Sequence, residues 1–188
     1  MSLLRIVIAL SATVLAAGCA SVSTSVRALT PAQLADPARG TIVVSTGAAE
    51  RCTASGAWAP IYDAATHKLA AGSPVVPIDE QSDSDYADHY GTLSALSLPA
   101  GRYLMTVEST NPGYFDIDVP TFAFEVVAGQ TRYLGSLLRA TPCGKAANFV
   151  LLDRYDADVA LATHLNAALA ARAPERALMQ VVRPMARR

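Results

Sequence analysis

The chain has 188 residues, 52% of them hydrophobic and 16% charged, with a formal net charge of −1. This length suits one domain with flanking segments. The charged fraction, below the roughly 25% of ordinary soluble domains, fits neither a long disordered chain nor a polytopic membrane protein. The near-neutral balance leaves no basic footprint, which argues against a nucleic-acid partner.

The N-terminus reads MSLLRIVIALSATVLAAGCAS. Arg5 precedes an apolar stretch, Ile6 to Leu15, broken only by Ser11 and Thr13. That is the charged and apolar order of a secretory leader. It is too short for a transmembrane helix, which needs about 20 apolar residues. Ala16, Ala17 and Gly18 are small enough for a signal peptidase pocket, and Cys19 follows them.

Leu15-Ala16-Ala17-Gly18-Cys19 resembles the lipobox of bacterial lipoproteins. The resemblance covers the first twenty residues, and departs from the commoner pattern in having Ala16, not Leu, three places before the cysteine. It implies cleavage between Gly18 and Cys19 and an acylated Cys19, whose chains join the protein to a membrane. Ala20, in place of the aspartate associated with inner-membrane retention, implies an outer-membrane destination. An ordinary secretory leader with an incidental Cys19 is the alternative. Ser21 to Arg39, with two prolines and little periodicity, reads as a spacer, with a short helical turn at Pro31 to Leu34.

Strand signals start at Thr41 with TIVVS. AWAPIYD and HKLA flank a polar turn, and TLSALSL ends at the turn Pro99-Ala100-Gly101. RYLMTVES sets Tyr103, Met105 and Val107 on one face. Asn111-Pro112-Gly113 suits a type II turn, and FDIDVP after it alternates Phe115, Ile117 and Val119 with two aspartates. TFAFEVVAGQTRYLGSLLRA has the pattern of a hairpin, with Phe122, Phe124 and Val126 inward and Gly129-Gln130 at the turn. NFVLLDRY closes the series. Short strands at this spacing predict an antiparallel β-sandwich of seven or eight strands over residues 40–155. LPAGRYLM followed by FEVVAGQTRYLGSL is similar to small transthyretin-like or carboxypeptidase-regulatory-like domains of bacterial lipoproteins, over residues 93 to 139. That resemblance implies a fold and no activity.

Beyond residue 155 the pattern becomes helical. Asp156 suits a cap, and Val159, Ala162, Leu165 and Leu169 make a stripe that would pack on the sandwich or meet a partner. Pro174 interrupts it, and a shorter segment runs from Glu175 to Val182. The tail from Arg172 to Arg188 holds five arginines and one glutamate.

Motifs that carry chemistry are sparse. Cys52 and Cys143 form an even pair once Cys19 is lipidated, which predicts a disulfide in an oxidising compartment, two buried free thiols being the alternative. The acidic run DEQSDSDYADHYG offers Asp83, Asp85, Asp88 and His89 as weak metal ligands. It lacks the EF-hand spacing, so it reads as a solvated loop and no metal site is assigned. No nucleophile elbow, zinc spacing or cofactor motif is present, so no catalytic residue and no cofactor are assigned. Trp58 and Tyr62 are candidates for an exposed binding surface. The reading is a lipid-anchored envelope module that binds an envelope protein or polymer, with an envelope hydrolase as its rival.

Overall fold

The computed structural model describes residues 24–52, 57–71, 74–78, 83–109, 120–143 and 145–182. Gly18 and Cys19 lie outside the described residues, as do Asn111-Pro112-Gly113 and the alternating Phe115 to Val119, where a turn and a strand are expected.

Eleven strands and two short α-helices occur in the described residues, with α1 at Pro31–Ala35 and α2 at Tyr155–Leu165. The strands are β1 (Arg39–Ala48), β2 (Ala57–Asp63), β3 (Val75–Pro77), β4 (Tyr90–Pro99), β5 (Gly101–Met105), β6 (Glu108–Ser109), β7 (Thr121–Val126), β8 (Thr131–Arg139), β9 (Phe149–Leu152), β10 (Glu175–Arg176) and β11 (Gln180–Val182). They form two sheets. The first runs β10-β8-β1-β4 with β9 also on β8, and the second runs β11-β7-β5-β2-β3 with β6 on β2. A mainly β sandwich with a C-terminal helix is therefore the architecture. It has more strands than the seven or eight expected, and it is not wholly antiparallel: β8 pairs in parallel with both β1 and β10.

The sequence pattern of a hairpin at Thr121–Arg139 misleads. β7 pairs with β5 and β11, while β8 pairs with β1, β9 and β10. The Val127–Gln130 turn is thus an arch between sheets, held where Gly129 N donates to Arg39 O at 2.8 Å. Gly129 has φ 73°, which its missing Cβ permits. β4 and β5, separated by Ala100, also belong to different sheets. Both strands of each pair carry apolar residues into the space between the sheets, and an arch satisfies that pattern as well as a hairpin does.

β1 is buried along nearly its whole length because it has a core on each face. Ile42 and Val44 meet Leu96, Leu98, Phe122 and Leu134 between the sheets. Val43 faces the other way, toward Leu93, Tyr133 and Ala162 under α2. On β8 the facing changes across Gly135, whose φ is 110°. There the register with β1 shifts, so that Tyr133 lies under α2 and Leu137 between the sheets.

The expected spacer is, from Thr24 on, part of this second core. Val26, Leu29 and Leu34 are buried in it. Thr30 and Gln33 form a reciprocal capping box on α1, and Asn166 Nδ2 donates to Val26 O and Leu29 O at 2.8 Å each. The segment also covers the outer edge of β4, since Ala95 N donates to Thr24 O at 2.8 Å and Ser25 bridges Ser94. Three apolar side chains at irregular spacing hid this packing from periodicity.

The C-terminal expectations change in detail. Arg154, not Asp156, occupies the N-cap of α2, and Leu169 lies in a separate 3-10 turn. Glu175–Val182 is extended: β10 joins the first sheet, Met179 N donates to Leu134 O at 2.9 Å, and β11 joins the second. Met179 is buried between them. No helix among the described residues is long and apolar enough to cross a membrane.

Candidate functional site

The densest polar cluster lies under the N-terminal turn of α2. Asp158 faces the first sheet and is fully buried. Its Oδ2 accepts from Ser45 Oγ at 2.5 Å and Tyr133 Oη at 2.7 Å, and its Oδ1 from Tyr86 Oη at 3.0 Å. Arg154 N donates to Tyr133 Oη at 3.2 Å, extending the chain of bonds to the start of the helix. Arg154 Nε stands 3.8 Å from Asp158 Oδ1. Three hydroxyl donors and a nearby guanidinium supply what a buried carboxylate loses on leaving water. The two tyrosine hydroxyls are held protonated: burial first, then Asp158, through its charge on Tyr86 and its hydrogen bond on Tyr133, raise both well above the ordinary phenol value.

The acidic loop supplies the next layer. It is not simply solvated. Asp85 Oδ2 accepts from Leu93 N at 2.9 Å and its Oδ1 pairs with Arg27 at 2.5 Å, tying the loop to β4 and to the N-terminal segment. Asp88 Oδ1 is 2.8 Å from His89 Nδ1, and its Oδ2 accepts from Arg154 at 3.1 Å. The His89 bond, then the Arg154 bond, hold the Asp88 carboxyl down at about 2. The His89 ring lies 4.3 Å from that of Tyr86. It also covers the cross-strand pair Gly47 and Gly91 so closely that a Cβ on Gly91 would stand 3.1 Å from His89 Nε2. Two facing glycines thus make the floor for an imidazole. His89 Nε2 and Ser136 Oγ are buried without a hydrogen-bond partner among the described residues.

Solvent meets this cluster at a shallow cleft of about 440 Å³ lined by Asp153, Arg154, Tyr155, Asp156 and Arg176. Its charges are paired: Arg176 reaches Asp153 at 3.0 Å and lies over the Tyr155 ring at 4.6 Å. Among the described residues, which include Asp83, Asp85, Asp88 and His89, no group of three or more His, Cys, Asp or Glu is placed to hold a metal ion.

Trp58 and Tyr62 alternate with the core residues Ala57, Ala59 and Ile61 along β2, so both face outward on the second sheet. Each is half-buried. Tyr62 Oη donates to Glu108 Oε1 at 2.7 Å; burial, then Glu108, pushes its hydroxyl up to about 12. Cys52 and Cys143 form a disulfide across a separation of 91 residues, their Cα atoms 5.3 Å apart. Buried Arg139 backs it by donating to Cys52 Sγ at 2.8 Å and to Lys145 O at 2.6 Å. His67 and His164 are exposed, the first on the turn after β2 and the second on α2.

Sequence reasoning missed Asp158, Tyr86, Tyr133 and Ser45. One signal was available: Asp158 lies one turn before Ala162 on the stripe continuing to Leu165. An acid on an apolar stripe needs buried partners. No family model matches the chain, and no curated protein matches it.

Proposed function

We propose that the chain is a bacterial lipoprotein anchored to the outer membrane through acylated Cys19, its domain facing the periplasm as a binding or structural module. Over residues 93 to 139 we read the domain as transthyretin-like or carboxypeptidase-regulatory-like. The lipid confines the domain to a surface and so raises its effective concentration for a partner there. That partner is an envelope protein or polymer.

One observation carries the module reading. The buried carboxylate Asp158 is sealed inside the protein by three donors, whereas apolar side chains project at strand margins. Val181 on β11, which ends the second sheet, is 64% exposed, and Val150 and Leu152 on β9 are exposed as well. An added extended segment would meet such an edge through main-chain hydrogen bonds.

Crosslinking in intact cells, followed by mass spectrometry, tests this reading. Native protein should capture an envelope partner that Cys19→Ala loses or captures far less. The rival, an envelope hydrolase, is favoured by the Asp88–His89 pair at 2.8 Å, the arrangement that orients a histidine base. Turnover of a substrate by purified protein, abolished in His89→Ala, together with no captured partner, would replace the module by the enzyme.

A further inference from the structure

The geometry points to an end-on seating of the domain: the end of the sandwich bearing Lys68 and Arg102 lies against the headgroup phosphates of the membrane that carries the anchor. This inference rests on the lipidation of Cys19. It adds which surface meets lipid and which is left to partners.

Chain direction comes first. Ser25 bridges Ser94 antiparallel to β4, and Ala95 N donates to Thr24 O. Passing from Ser25 back to Thr24 therefore moves toward Pro99, the end of β4 opposite Arg39. The same end of the molecule holds the Val127–Gln130 arch, tied to Arg39 O, and the turn after β2, where Asp63 N donates to Lys68 O and Ala64 N to Arg102 O.

Reach comes second. Cys19 is five residues before Thr24, a distance of about 17 Å at full stretch. From the level of Ala95 to Pro99 is four residues of strand, about 13 Å, so the anchor sulfur can reach about 4 Å past Pro99 on this side. Tyr90, at the opposite end of β4, is five residues from Ala95, about 17 Å. To face lipid there, the chain would reverse and use all its length merely to draw level with Tyr90. The disulfide turns, continuing past Ala48 and Arg139, would still stand in the way.

Charge comes third. Lys68, His67 and Arg102 are exposed at the near end, beside Leu69, which is 47% exposed. The acids there are Asp63, which accepts from Thr66 Oγ1 and from the backbone of Ala65 and Thr66, Asp36, which accepts from Ala38 N beside Arg39, and Glu125, which pairs with Arg132 at 3.4 Å; Lys68, Arg102, Arg39 and Arg132 against these three carboxylates leave a formal excess of positive charge. Cations beside an apolar side chain suit the phosphate layer of a bilayer.

Full-length lipidated protein in vesicles of phosphatidylethanolamine and phosphatidylglycerol provides the test. A dye is attached in turn at Ala65→Cys, Gln130→Cys, Ala32→Cys and Lys145→Cys, and quenched by lipid carrying a headgroup nitroxide. Quenching should be roughly threefold stronger at Ala65→Cys and Gln130→Cys than at Lys145→Cys, and Lys68→Glu with Arg102→Glu should shrink that contrast. Equal or stronger quenching at Lys145→Cys, or quenching confined to Ala32→Cys on the flank, overturns the end-on seating while leaving the anchor intact. Protein that does not float with vesicles and whose mass shows an unmodified Cys19 overturns the lipidation reading and this inference with it.

Discussion

Asp158 illustrates how much one buried charge can organise. It draws hydroxyls from β1, from β8 and from the acidic loop onto one helix turn, so three separate parts of the chain share it. Asp158→Ala strands three buried hydroxyls and should lower stability by about 3–5 kcal/mol. Tyr133→Phe removes one charge-assisted donor and should cost about 1.5–3 kcal/mol, both read by urea unfolding. Asp88 makes a pH prediction with a definite sign. Its folded value, about 2, lies below the ordinary carboxylate value of 3.8. Its stabilisation is therefore present above pH 4 and lost as pH falls toward 2. Asp88→Asn should flatten the stability profile across that window by lowering the plateau above pH 4 toward the acid value, as followed by denaturant titration at stepped pH. At this scale the sequence was only partly legible. The cysteine pairing followed from parity and compartment, and Trp58 and Tyr62 fell on one face as their spacing implies. The roles of Asp85, Asp88 and Asp158 depend on partners up to 113 residues away, which no local pattern encodes.

At the level of elements, alternation and turn chemistry located most strands. Tyr103, Met105 and Val107 entered the core as their spacing predicts, as did Phe122, Phe124 and Val126. What local chemistry left open was pairing. Pro99-Ala100-Gly101 and Gly129-Gln130 mark reversals, but a reversal within a sheet and one between sheets present the same turn residues and the same inward apolar faces. Strands as short as β3, β6 and β10 fall below the length at which period-two patterning is visible. The N-terminal segment is the other lesson, because Leu34 looks like a stray apolar residue beside Pro31 and is 6% exposed. Leu34→Ala should therefore cost about 2–5 kcal/mol in thermal or urea unfolding, a loss no flexible spacer would show.

For the whole molecule, the disulfide closes a covalent loop across a separation of 91 residues and joins the turn after β1 to the turn after β8. These two strands pair in parallel, so the bridge holds their trailing ends together. Cys52→Ser with Cys143→Ser should lower stability by about 3–5 kcal/mol in the loop-closure account, measured against the oxidised protein in the same buffer. The passage of Glu175–Val182 from one sheet edge to the other has a consequence for biogenesis. A polypeptide emerging from a ribosome or an export channel presents its N-terminal strands first, and the seam that joins the two layers is sewn only when Met179 arrives. Until then the nascent domain carries two bare margins at once, and a chaperone that shields strands has its work concentrated in that interval.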